Sequence, residues 1–122
     1  MANANRVVGQ MKVTIDGAVL DTDGETEMEI GGATREAVTG DYQAGSFRET
    51  TTPSKTTTKL LNKAGLSLSA LRAIDNATLV LKTDTGRTWV VRGAYTADVI
   101  SFSGSDGKAT VVWGGQPAEE VA

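Results

Sequence analysis

A mainly β, antiparallel fold with one short α-helix is predicted by three features of the 122-residue sequence. Residues 76–113 read as two consecutive hairpins rich in Val, Thr, Ile and aromatic residues, closed by Thr83-Asp84-Thr85-Gly86-Arg87 and Gly104-Ser105-Asp106-Gly107-Lys108. Gly and Asp tolerate the positive φ that tight hairpin turns need. Residues Glu25–Ile30 alternate strictly, with glutamate at each odd position and Thr26, Met28 and Ile30 at the even ones. One helical pattern, Ser67–Ile74, lies between these regions.

Taken in order, residues 1–8 read as a loose arm. Gln10–Asp16 is the first strand, with Met11, Val13 and Ile15 on one face and Lys12, Thr14 and Asp16 on the other. Asp16-Gly17 turns the chain into Ala18-Val19-Leu20, and Asp21-Thr22-Asp23-Gly24 breaks the pattern. In the next strand a period of two places Glu25, Glu27 and Glu29 together on one sheet face, which like-charge repulsion keeps hydrated.

From Gly40 to Lys59 the residues become small and polar, with Thr50-Thr51-Thr52, Pro53-Ser54 and Thr56-Thr57-Thr58. The stretch reads as a mobile surface loop or, because threonine is β-branched, as a protruding hairpin with Pro53-Ser54 at its centre. Such a hairpin lacks a hydrophobic face and needs a partner. Lys55, Lys59 and Lys63 share a face if the stretch is extended. Ser67 is a good helix N-cap, and Leu66 before it is placed to pack on Leu71. Leu68, Leu71 and Ile74 then share the buried side, and Asp75-Asn76 ends the helix. Arg92-Gly93-Ala94-Tyr95 joins the two late hairpins, and residues 115–122 read as a flexible C-terminal arm.

Composition excludes several function classes. The length fits one domain that buries roughly two-thirds of its unfolded surface. The chain has no His and no Cys, which removes the usual general base, thiolate chemistry and the commonest transition-metal ligand. No apolar run approaches the roughly 20 residues that span a bilayer, and polar Met1–Arg6 lacks the apolar segment of a signal peptide. A soluble intracellular product is expected. Asp21-Thr22-Asp23-Gly24 fails as a calcium loop, because Gly24 is fourth rather than sixth and Gly32 stands where a glutamate is needed. Asn76-Ala77-Thr78 fits a glycosylation sequon only in form. An acidic chain with six aromatic residues is not a nucleic-acid reader. Charge is uneven: positions 1–50 hold nine acidic and four basic residues, the rest six acidic and eight basic. The split reads either as ordinary solvated surface or as charge complementarity between copies of the chain, which sets orientation and register in an assembly.

In order along the chain, Asn5-Arg6-Val7-Val8-Gly9, Val13–Leu20, Arg35-Glu36-Ala37-Val38-Thr39-Gly40, the short helix, Ala77–Leu81 and Thr85–Tyr95 resemble a phage tail tube protein of the Mu-like type. Contractile-tail and type VI secretion inner-tube proteins are relatives of that family. The resemblance implies a β-sandwich or partly closed barrel over residues 9–114, flanked by the helix at 67–74 and carrying a protruding hairpin or loop at 40–59. It implies self-assembly into hexameric rings, stacked into a virion tail tube that conducts DNA without binding it specifically, and assembly in the bacterial host cytoplasm. Sheath protein (in a contractile tail), baseplate and terminator proteins are the implied partners. No catalytic residue, metal, cofactor or membrane is implied.

Glu25, Glu27 and Glu29 are the candidates for the lumen, since a carboxylate wall repels passing DNA whereas lysines and arginines bind phosphates. Tyr42, Phe47, Arg48, Glu49, Thr51, Pro53, Lys55 and Thr57 are the candidates for contacts between rings. The alternatives are an inner-tube protein of a secretion or tailocin-like device, a monomeric β-sandwich accessory or binding module, and a small enzyme using only carboxylates.

Overall fold

The computed structural model describes residues 5–121. Strand β1 (Met11–Ile15) follows the alternation of its sequence, with Val13 and Ile15 buried and Lys12 exposed. Asp16 and Gly17 both adopt positive φ, 47° and 87°, and return the chain into β2 (Ala18–Leu20). After β2 come β3 (Glu27–Glu29), β4 (Gly32–Val38), β5 (Ser46–Thr52) and β6 (Ser54–Leu61), then helix α1 (Leu68–Arg72). The strands β7 (Ala77–Thr83), β8 (Thr88–Thr96), β9 (Ser101–Ser103), β10 (Lys108–Gly115) and β11 (Glu119–Glu120) complete the chain.

Nine strands form one antiparallel sheet along the path β2-β1-β7-β8-β10-β6-β3, with β9 added beside β10 and β11 beside β8. Both predicted late hairpins are present, as β7–β8 and β9–β10. Arg92–Tyr95 is part of β8 rather than a linker between them. Gly93, at φ 65°, lies in the irregularity of the β7–β8 pairing between Val91 and Ala94, and from Tyr95 on β8 pairs with β10. The two halves of the sheet share one core. Val13, Ile15, Leu79 and Leu81 enter it from one half, Leu60, Val111 and Trp113 from the other, and Leu71 from the helix.

The fold is thus mainly antiparallel β with one short helix, as expected, and the sheet stays open rather than closing into a barrel. Its two end strands, β2 and β3, are consecutive in the chain. The link between them reaches β6 through a bridge between Thr22 and Leu60. The expected cap is in place too: the Ser67 hydroxyl accepts from the Ala70 amide at 3.3 Å.

Two expectations need correction. The hairpin placed at residues 40–59 is instead β4–β5, residues 32–52, with its turn at 39–45. Pro53 stands at its base, and Ser54–Leu61 is a strand of the main sheet, paired with β10 along its whole length. Ser54, Thr56 and Thr58 are buried, because β10 on one side and β3 on the other press that strand's inner face onto the core. The C-terminal arm at 115–122 is docked: Gln116, Ala118 and Val121 amides donate to the Arg92, Ile30 and Thr88 carbonyls, and β11 pairs with β8. Backbone bonding fixes it where its composition offers little apolar surface. Of the N-terminal arm at 1–8, residues 1–4 lie outside the described residues. Asn5–Val8 form no strand, and Arg6 is held 3.3 Å from Asp84.

Candidate assembly surface

A single bent ribbon organises this surface. Glu27 opposes Thr57 and Glu29 opposes Lys55 in the main sheet, while Gly32 opposes Thr52 and Val38 opposes Ser46 in the hairpin. The register is unchanged across the break, so β3–β4 and β5–β6 are one long antiparallel ribbon, bent once. Gly31 and Gly32 take φ of 72° and 110° at the bend. A Cβ on Gly31 would lie 2.7 Å from the Thr52 carbonyl oxygen and 2.8 Å from backbone atoms of Pro53 and Ser54. Only glycine allows that approach with that backbone. Across from it, Pro53 lacks the N–H that would continue the ladder.

Beyond the bend both faces of the hairpin are exposed, apart from Gly32 at its root. One face carries Ala33, Arg35 and Ala37 against Thr51, Glu49 and Phe47; the other carries Thr34, Glu36 and Val38 against Thr50, Arg48 and Ser46. Cross-strand pairs hold it together: Arg35–Glu49 at 3.0 Å, Arg48–Glu36 at 3.4 Å, Thr34–Thr52 hydroxyls at 2.7 Å, and Arg35 over the Phe47 ring at 5.7 Å. Exposed pairs of this kind contribute at most about 1 kcal/mol each, and an isolated two-stranded hairpin is marginal in water.

The ring-contact candidates divide at the bend. Tyr42 lies in the fully exposed turn, Phe47, Arg48, Glu49 and Thr51 lie on β5, and Pro53 lies at the bend itself. Phe47, Glu49 and Thr51 share a face, and Arg48 points to the other. Lys55 and Thr57 are not part of the hairpin at all. They line a small cleft with Glu27 and Glu29 on the outer face of the main sheet.

The three glutamates are exposed and share a face, as their alternation requires, with Thr26 buried and Met28 half-buried behind them. The face is not a pure carboxylate wall, however. Lys59 donates to Glu25 at 2.7 Å and Lys55 stands opposite Glu29, leaving Glu27 opposite uncharged Thr57. The hydrogen bond and charge of Glu25 raise the Lys59 pKa above its ordinary value.

Beside this face lies a pair that composition did not single out. Asp23, with its side chain only 4% exposed, faces the Lys108 ammonium at 3.1 Å and accepts from the Glu25 amide at 3.0 Å. Burial pushes its carboxyl up, but the Glu25 amide, Lys108 and Lys59 outweigh burial and hold the pKa below the usual carboxylate value. The residues of β4 were also missed, although a signal was present. Arg35-Glu36 read antiparallel to Glu49-Arg48 places opposite charges across both positions.

The phage tail tube protein family matches residues 4–120. The chain belongs to that family. A tail tube protein is a structural component of the phage tail and not an enzyme. The chain is also similar to the Mu-like prophage FluMu tail tube protein of Haemophilus influenzae, at 30% identity over 105 residues, covering 86% of this chain and 87% of that one. Two solved structures share the fold at low identity. One is a chain of the extended sheath-tube complex of the extracellular contractile injection system PVC, with a TM-score of 0.72, 11% identity, and coverage of 98% of this chain and 93% of that one. The other is from the extended sheath/tube terminator of the same system, with a TM-score of 0.70, 9% identity and full coverage of both chains.

Proposed function

We infer that this tail tube protein is the repeating subunit of the tube: rings of six, stacked axially, enclosing a channel through which DNA leaves the virion for the host. The observation that carries the reading is the projecting β4–β5 hairpin, whose faces have no partner among the described residues of its own chain. An arm of this kind acquires its stability from a neighbouring copy, and a head-to-tail contact generates rings or open stacks according to its rotation. In this reading Tyr42, Phe47, Arg48, Glu49, Thr51 and Pro53 serve the contact between rings. Glu25, Glu27 and Glu29 face the lumen, with Lys55 and Thr57 beside them. Sheath, baseplate and terminator proteins meet the finished tube. Resemblance in fold to a contractile injection system supports a tube with a sheath around it.

Two experiments test this. Excising residues 33–51 and joining Gly32 to Thr52 through Asn-Gly, a good two-residue hairpin turn, leaves every buried core residue in place. The expected product is folded by circular dichroism and forms no tubes by electron microscopy; tubes of ordinary length would overturn the assignment of the arm. Replacing Glu25, Glu27 and Glu29 together by lysine should leave tubes intact but cut DNA delivery sharply, because each added cation binds phosphate. Undiminished delivery would place these residues outside the channel.

A further inference from the structure

We propose that the hairpin tip is a knob whose receptor is a cavity at the opposite end of the same subunit's ribbon, so that Tyr42 of one copy seats in the cavity of the next copy along the tube. The proposal rests on the tube reading and specifies the partner surface that reading leaves open.

The knob is an aromatic side chain held in water. Tyr42 is fully exposed at the tip of the arm, with Asp41 beside it, and the Gly40 amide donating to the Gln43 carbonyl at 2.7 Å folds the turn behind them. Neither side chain hydrogen-bonds or forms an ion pair with the described residues. Tyrosine combines a large apolar ring with a polar tip at little conformational cost, and anchors of this type dominate association energetics.

The hole has matching chemistry. A cavity of about 260 Å³ opens between β2 and the segment that follows β6. Buried Leu20 and Leu60 form its floor, exposed Val19 and half-buried Leu66 its walls, and the Lys63–Asp21 ion pair, at 3.0 Å, its rim. A phenol ring fits the apolar floor while its hydroxyl reaches the rim. Lys63 has donors to spare beyond Asp21, and the Asp41 carboxylate that arrives with Tyr42 is its charge complement.

Placement makes the contact intermolecular. Followed along the ribbon from the bend at Pro53, β5 leads one way to the tip and β6 the other way to the cavity, each by roughly 20 Å of strand at ~3.3 Å per residue. A knob at one end and its hole at the other form a heterologous interface, which repeats without limit when copies are stacked.

The chain contains no cysteine, so engineered pairs report the contact without background. Gly65 lines the cavity, and a Cβ added there meets nothing within 4 Å. Tyr42→Cys and Gly65→Cys in one chain, assembled at a concentration raised to offset the lost ring and then oxidised, should give a ladder of covalent dimers, trimers and longer species on a non-reducing gel, where each single variant gives at most dimers. Gly65→Phe, which fills the cavity, should raise the concentration needed for tube formation at least about tenfold, the usual cost of losing a central anchor. Tyr42→Phe, which keeps the ring, should stay within about threefold. If tubes form while the ladder is absent and Gly65→Phe assembles normally, the knob and cavity do not meet and the tube reading stands. If the unaltered chain yields neither rings nor tubes at any concentration, the tube reading itself fails and takes this contact with it.

Discussion

The two halves of the bent ribbon have similar composition and opposite fates. Between β5 and β6 the sequence runs through two triplets of threonine, and both halves keep the same cross-strand register. Yet Thr50, Thr51 and Thr52 are exposed, while Thr56 and Thr58 are buried. The difference lies in what flanks them. Strand β6 has β10 and β3 on its two edges and the core beneath it, whereas β5 has only β4. Threonine tolerates both settings: its β-branched stem suits a strand anywhere, and its hydroxyl is satisfied by water outside or, at Thr58, by specific partners inside.

The strongest test of this contrast removes that hydroxyl from each half. Thr58 accepts from the Trp113 indole N–H at 3.2 Å and donates to the Val111 carbonyl at 3.1 Å, all three groups being buried. Thr58→Val leaves the indole donor unpaired, and urea denaturation of the monomer should show a loss of about 1–3 kcal/mol. Thr50→Val, in the arm, should change monomer stability by no more than about 0.5 kcal/mol. Equal losses at the two positions would show that the arm is as well supported as the sheet.

A smaller effect separates the ion pairs of the two halves. Asp23 has a depressed pKa in the folded chain, so its contribution is fully present above the unfolded carboxylate value of 3.8 and is lost as pH falls through the lower folded value. Asp23→Asn should therefore flatten the acid limb of the stability profile below that value. Glu49→Gln, at the exposed Arg35 pair of the arm, should change monomer stability at neutral pH by no more than about 0.5 kcal/mol. An acid limb that Asp23→Asn leaves unchanged would show that this pair does not couple to folding.

Much of the sheet was legible because its strands alternate cleanly. Met11–Ile15, the Asp16-Gly17 turn, Glu27–Glu29, the Ser67 cap and the β7–β8 hairpin all follow from period and turn chemistry. The division at Pro53 was not, because a threonine run reads as polar whether its hydroxyls meet water or a buried indole. A period-two signal did exist in β6, with Lys55, Thr57 and Lys59 facing out and Thr56, Thr58 and Leu60 facing in. The C-terminal segment was unreadable for another reason. Its attachment is through backbone amides of Gln116, Ala118 and Val121, which leave no mark on side-chain composition. At the candidate surface, the sequence located the shared face of the glutamates but not the lysines set across from them, since strand partners 26 or more residues apart are fixed by topology rather than local pattern.

Because one register runs unbroken through the bend, the reach of the arm is counted in residues. Removing one facing pair from β4 and β5 would draw the tip in by about 3.3 Å and turn every side chain beyond it to the opposite face. Only removal in twos keeps Phe47 and its Ala33–Ala37 neighbours oriented as they are. Insertions and deletions in this arm therefore act as a ruler with divisions of about 7 Å, and the proposed contact of its tip with a neighbouring copy would be moved only in whole divisions.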